Sequence, residues 1–403
     1  MKRILFIAPS SYPVNGAEAI VNIKLLRALS ECGEFAIDLV SKTHKWQNYP
    51  TNETLEELNV KLESYTTISV DNKMSVRVVW EHILAFLFFG VTFKGAHWAY
   101  KALGTVKNLV KEKKYDYIIT KDSPSILLGL YLKKKYNLKW VATWNDPYPM
   151  KMYPSPYGLG NKIKGGFIER KLIKIMKKYP DIHIFPSDRL KNYMNFYLQL
   201  PESRLYVVPH IVFRNKFIEP NYSQTTLKLI HSGNLCSPRN PMTFINAFCR
   251  FIKEYSSAKI EFHILGVLDK NVALMVENEG LSKYIKILSP VSYSESLELL
   301  KNYQIAVIIE ANCVEGVFLP TKVSDFMENK IRIFSVSPSC GVLNDLYSSL
   351  HIPYFAPVDD ASAIYEQICK AYEDFTAGKF SRCIEYSNPD FYHDNIVDMY
   401  KSF

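Results

Sequence analysis

The 403-residue sequence predicts an α/β protein made of two doubly wound domains. Short apolar runs alternate with amphipathic stretches in both halves, a pattern that builds parallel sheets flanked by helices. A polar, non-periodic segment, FRNKFIEPNYSQTT (213–226), separates the two series and is expected to be the linker. The composition, 48% apolar and 22% charged, is that of a globular chain long enough for two such domains.

The expected strands follow in order. In the first half they are ILFIA (4–8), FAIDLV (35–40), YDYIIT (115–120), LKWVAT (138–143), IHIFP (182–186) and LYVVP (205–209). In the second half they are LKLIHSG (227–233), KIEFHILG (259–266), YIKILS (284–289), YQIAVIIE (303–310) and IRIFSVS (331–337). Stretches such as AEAIVNIKLLRALSECG (17–33) and SPSILLGLYLKKKY (123–136) supply the intervening helices. Both domains are therefore Rossmann-like, over residues 1–212 and 227–382, with a terminal segment at 383–403. Facing domains of this kind leave a cleft lined by the carboxyl ends of both sheets, where ligands bind.

Several classes are excluded. The apolar run after Met1 is about six residues long before Pro9, short of a signal-peptide core, and reads as a first strand. The most apolar stretch, VVWEHILAFLFFGVTF (78–93), is interrupted by Glu81 and His82 and falls below the roughly 18 residues that span a bilayer. It is expected to be a buried helix of the first domain, with docking on anionic lipid, together with the lysine-rich faces, as the alternative. Seven cysteines, with no CxxC pair, suit a reducing cytosol better than a disulfide framework or a zinc site. Residues 1–212 hold 31 Lys and Arg against 18 Asp and Glu, giving +13, whereas residues 213–403 hold 18 against 22, giving −4. The basic half suits an anionic surface such as a membrane. Nucleic acid is the rival partner, but no recognition motif accompanies the charge.

Four stretches carry candidate chemistry. In EGVFLPTKVSDF (315–326), Leu319-Pro320 ends one segment and Thr321 is the expected N-cap of a helix to about Asn329. Lys322 in that first turn opposes the helix dipole unless an anion lies between them. Asp325, three residues on, is placed for a ribose diol; the alternative is a surface pair. In HSGNLCSPRNPMTFINAF (231–248), Gly233 ends a strand and Arg239 precedes a helix, again suited to phosphate or else a plain surface residue. In PSSYPVNGAEAIVN (9–22), Gly16 leads into a helix without a GxGxxG pattern, so dinucleotide binding is disfavoured and turn chemistry competes. In ATWNDPYPMKMYPSPYGLG (142–160), Asn145 and Asp146 are placed to touch a sugar and the tyrosines to stack on it, although Asp146 before Pro147 also suits a turn. No D-x-D handle for a metal-bound nucleotide sugar is present.

Taken together and in this order, the four stretches resemble a GT-B glycosyltransferase of the large retaining group called family 4. The resemblance implies a second domain that binds a nucleoside-diphosphate sugar, UDP- or GDP-linked. Arg239 and Lys322 would hold the diphosphate, and Asp325 the ribose, within a donor site that also includes Gly233, Asn234, Glu315, Val317, Pro320 and Thr321. It further implies a first domain that binds a glycan or lipid-linked acceptor, Gly16 near the donor phosphate, and residues 383–403 crossing back onto that domain. Asn145 and Asp146 would join Arg239 and Lys322 in catalysis, with no metal and no cofactor. Three positions depart from the pattern. The acid eight residues before Asp325 is replaced by Val317, with Glu315 two residues off; Asn145 stands for a histidine; Asn234 stands for an arginine. The expected role is sugar transfer in capsule, O-antigen or exopolysaccharide synthesis, at the inner face of the cell membrane. A nucleotide-sugar 2-epimerase and a non-catalytic nucleotide-sugar-binding subunit are the alternatives.

Overall fold

The computed structural model describes residues 1–14, 16–44, 53–71, 73, 75–121, 123–160, 165–214, 219–221, 225–380 and 383–403, without the side chains of His44 and Met150. Asn15 of the PVNGAEA stretch and parts of the 213–226 linker lie outside the described residues. The chain divides into two compact units. Unit 1 comprises Met1–Tyr153, Gly158–Ile211 and His393–Phe403; unit 2 comprises Pro154–Tyr157 and Val212–Tyr392.

Unit 1 is built on β1 (Lys2–Ile7), β2 (Phe35–His44), β3 (Ser64–Val70), β4 (Tyr117–Thr120), β5 (Lys139–Thr143), β6 (Ile182–Phe185) and β7 (Leu205–Val207). They form one parallel sheet in the order β3-β2-β1-β4-β5-β6-β7. Helices cover both faces of a parallel sheet, so its central strands are apolar throughout; all four residues of β4 and of β6 are buried. The helix His393–Ser402 packs in this unit, where the Tyr117 hydroxyl donates to the Tyr400 carbonyl (3.0 Å) and Tyr206 meets Phe403 edge-on.

Unit 2 carries β8 (Leu227–Ser232), β9 (Ile260–Leu265), β10 (Ile285–Leu288), β11 (Ile305–Ile309), β12 (Arg332–Ser337) and β13 (Tyr354–Pro357), parallel in the order β10-β9-β8-β11-β12-β13. Alternate residues face opposite sides. Leu229, Ile305, Val307 and Ile309 join one core with Phe244, Phe248 and Phe262, while Ile230, Ala306 and Ile308 join the other with Val323 and Phe326.

Two strands are not announced by the sequence pattern, β3 and β13, and both are sheet edges. An edge strand needs less apolar surface: SYTTISV is rich in Ser and Thr with Tyr65 exposed, and YFAP ends in a proline. A larger correction concerns residues 78–93. The stretch forms a helix, Val76–Phe89, but it is not buried: only Val78 and Ala85 face the interior. Among the described residues no helix is long and apolar enough to cross a membrane.

Candidate donor site

In unit 2 the strand order reverses between β8 and β11, which are neighbours. Ligands of open α/β sheets bind outside the carboxyl ends at that point. Gly233 and Asn234 follow β8, and Glu310 follows β11. The five residues of β11 are buried, so an acid at its end stands where the chain leaves the core; its side chain is 11% exposed.

Two glycines shape the end of β8. Gly233 has φ +123°, and a Cβ there would lie 2.8 Å from Lys322 Nζ. Gly266, with φ +143°, would place a Cβ 2.6 Å from the Gly233 carbonyl oxygen. Only glycine permits these approaches without strain. The Asn234 side-chain oxygen accepts from Val267 N (3.1 Å), which pins the loop that carries Arg239. Gly233→Ala is expected to destabilise the fold by about 1–3 kcal/mol of backbone strain and to displace Lys322. Denaturant unfolding checks the first effect; nucleotide affinity checks the second.

The charged groups converge on this point. Arg239 Nε donates to Glu310 Oε2 (3.3 Å), and the Tyr157 hydroxyl donates to the same oxygen (3.4 Å). The Arg239 guanidinium lies 5.9 Å from the Tyr157 ring, which packs edge-on against Phe318. Glu310 holds the guanidinium pKa above its ordinary value. Lys322 is half-buried; burial first, then repulsion by Arg239, lowers its ammonium pKa to about 8 against the pull of Glu310 and Asp325. Two cations held near each other and partly out of water favour an anion between them.

His231, at the end of β8, is buried and its Nδ1 contacts the Val307 carbonyl at 3.0 Å. A carbonyl only accepts, so Nδ1 carries the proton and Nε2 is a bare acceptor. Burial, Lys322 and Arg239 push the His231 pKa well below its ordinary value, so the ring stays neutral. Nε2 has no hydrogen-bond partner among the described residues, and it lies 4.0 Å from where a Gly233 Cβ would stand.

Unit 2 thus brings together Gly233, Arg239, Lys322 and Asp325, four residues that the sequence singles out. Asp325 is buried rather than part of a surface pair, and accepts from the Tyr293 hydroxyl (2.7 Å). Thr321 stands at the expected N-cap position of the helix Lys322–Glu328, which Asn329 closes, but its backbone is already helical, with φ −57° and ψ −33°, and its side chain accepts no capping bond. The chain turns one residue earlier, where Val323 N donates to Pro320 O (3.1 Å). Val317 is fully buried, Glu315 half-buried and Asn234 exposed. Sequence reasoning missed Glu310, His231 and Tyr293, although an acid closing the run YQIAVIIE is a visible signal. It expected the loop tyrosines to stack on a sugar. The structure places Tyr157 in unit 2, its hydroxyl on Glu310 and its ring edge-on to Phe318.

The other candidates lie in unit 1, at its own switch point between β1 and β4. Gly16 opens the helix Ala17–Glu31, and Asn22 from that helix donates to the Ser10 carbonyl (2.7 Å), fixing the loop after β1. Asn145 donates to Glu18 (3.3 Å) and Asp146 accepts from Tyr153 (3.2 Å). Asn145 also borders a small concavity with Lys121, Thr143 and His210. Among the described residues no group of three or more His, Cys, Asp or Glu side chains is placed to hold a metal ion.

Residues 68–213 match the family model described as Glycosyltransferase Family 4. No curated protein matches the sequence. Among solved structures, the chain is similar to sucrose-phosphate synthase from Thermosynechococcus elongatus, with TM-score 0.66 and 12% identity over 100% of this chain and 98% of that one. It is similar to Anabaena Alr3699/HepE in complex with UDP-glucose, with TM-score 0.66 and 12% identity over 100% of both chains. A third likeness is to the lipopolysaccharide outer core galactosyltransferase WaaB, with TM-score 0.55 and 14% identity over 100% of this chain and 95% of that one. The fold is that of the GT-B glycosyltransferases.

Proposed function

We propose that this chain, with its GT-B fold and a family 4 match over residues 68–213, transfers a sugar from a nucleoside-diphosphate sugar to a glycan or lipid-linked acceptor. One observation carries the reading: Arg239 and Lys322 meet beside Gly233 at the switch point of unit 2, with the bare His231 Nε2 facing the same space. The donor would be UDP- or GDP-linked. HepE in complex with UDP and with UDP-glucose supports the uridine choice.

Breaking the bond between the sugar and the diphosphate builds negative charge on the leaving oxygen. Arg239 and Lys322 stabilise that charge as preorganised cations, without a metal. Asp325 holds the ribose once Tyr293 yields its hydrogen bond. The acceptor hydroxyl attacks the anomeric carbon on the face the diphosphate leaves, and its proton passes to the departing phosphate oxygen. The anomeric configuration is therefore retained. Unit 1 supplies the acceptor, with Gly16, Asn145 and Asp146 at its switch point. Its excess of basic residues, 31 Lys and Arg against 18 Asp and Glu over residues 1–212, suits docking on an anionic membrane at the cytoplasmic face. Synthesis of a capsule, O-antigen or exopolysaccharide fits that setting, as does the likeness to a lipopolysaccharide galactosyltransferase.

The test is incubation with UDP- and GDP-sugars and membrane extract, with and without EDTA. Release of free nucleotide tied to acceptor glycosylation, unchanged by EDTA, is the expected result. A changed donor sugar without nucleotide release would indicate an epimerase instead, and binding without turnover a non-catalytic subunit.

A further inference from the structure

The helix Val76–Phe89 is turned inside out relative to an ordinary surface helix. Val76 is 89% exposed, Trp80 57%, Phe86 47% and Leu87 71%, and Val79 and Ile83 are exposed with them. Their spacing of three, four and seven residues places them on one continuous stripe. Val78 and Ala85, seven residues apart, are buried and mark the opposite face. The helix is properly built: the Ser75 hydroxyl accepts from Val78 N (3.3 Å), and Gly90 closes it at φ 70°. An apolar stripe of this size facing water calls for a partner.

Basic and aromatic groups border it. Lys107 Nζ lies 5.3 Å from the centre of the Phe88 ring. Lys171 Nζ donates to the Gly90 carbonyl and stands 5.9 Å from the ring of Phe167, itself 69% exposed. Arg77, on the same helix, has a largely exposed side chain paired with Glu81. An apolar stripe with Trp and Phe, bordered by long cations, is the form of an interfacial helix. A second copy of the chain is a poor occupant. The helix is about 21 Å long and 10 Å wide, far below the roughly 800 Å² per partner of a stable interface. It would also press like charges together.

We propose that the exposed face of Val76–Phe89, with Phe167 beside it, inserts into the headgroup region of an anionic phospholipid membrane, Lys107 and Lys171 lying at the lipid phosphates. The inference deepens the membrane-docking reading above and rests on it for the acceptor's location, but it needs no nucleotide and is tested without one.

The full chain is sedimented with phosphatidylcholine vesicles, with and without phosphatidylglycerol, while tryptophan emission is recorded. Trp98, Trp140 and Trp144 are buried and Trp46 lies outside the described residues, so a vesicle-induced blue shift is assigned to Trp80 by its disappearance in Trp80→Phe. Expected are binding to the anionic vesicles, that shift, and a loss of partitioning of about tenfold or more for each residue changed in Trp80→Glu/Leu87→Glu. The neutral pair Trp80→Ser/Leu87→Ser is expected to lose binding as well, with unchanged circular dichroism. Lys107→Gln and Lys171→Gln are expected to weaken it several-fold each. Anionic-vesicle binding with no Trp80 shift, and equal in the apolar variants, would overturn the inference and leave docking to charge alone. No vesicle binding would overturn both. A dimer in sedimentation velocity that Trp80→Ser/Leu87→Ser dissociates would assign the face to a second copy. Thermal stabilisation by nucleotide should be the same in every variant, so failure of the donor reading shows separately.

Discussion

Lys322→Ala is expected to lower kcat/KM with a nucleoside-diphosphate sugar by about two to three orders of magnitude, the cost of removing one preorganised charge from a developing oxyanion. The neighbourhood of the side chain explains why the loss falls on function rather than on folding. Lys322 is held partly out of water and is repelled by Arg239, so without ligand its charge is a burden. Its pKa is lowered from 10.5 to about 8, so between those values the folded state binds fewer protons than the unfolded state. Through this group, ligand-free stability rises with pH across that window, and the penalty is fully present below pH 8. Nucleotide binding runs the other way. The diphosphate needs the ammonium form, so affinity is expected to fall above pH 8, by up to about tenfold per pH unit. Lys322→Ala should abolish that slope. Steady-state kinetics give the first result, and calorimetric titration between pH 7 and 9.5, values that bracket the shifted pKa of about 8, gives the second.

Arg239→Ala is expected to cost about two orders of magnitude in kcat/KM. It would remove the proposed phosphate contact and the guanidinium that pairs with Glu310, whose side chain is only 11% exposed. The orphaned carboxylate then repels the diphosphate. Glu310→Gln combined with Arg239→Ala should therefore bind nucleotide better than Arg239→Ala alone. The expected coupling is about 1–3 kcal/mol in a double-mutant cycle. Strictly additive losses would mean that Glu310 and Arg239 act independently, contrary to the 3.3 Å contact.

The sheets were legible because central parallel strands are apolar on both faces. LKLIHSG and YQIAVIIE are buried runs bounded by turn residues, and they became β8 and β11. The edge strands β3 and β13 carry no such run. Lys322 and Asp325 were legible because their spacing within one helix turn is local. Glu310 was not, since its partners Arg239 and Tyr157 stand 71 and 153 residues away. The helix Val76–Phe89 was misread for a different reason. Apolar residues at helical spacing define a stripe, but nothing in the spacing says whether the stripe faces a core or the outside. Thr321 takes the expected N-cap position but makes no side-chain capping bond, since its backbone is already helical and the Pro320 carbonyl accepts from Val323 N.

The most direct measurement is thermal unfolding of the wild type and of Lys322→Ala with UDP, GDP and CMP. A nucleotide at about 100 times its dissociation constant adds roughly 2.7 kcal/mol to the folded state. The donor-site account predicts a raised melting temperature with UDP or GDP in the wild type, and a much smaller rise in Lys322→Ala. No rise with any of the three, or an equal rise in both proteins, would contradict it.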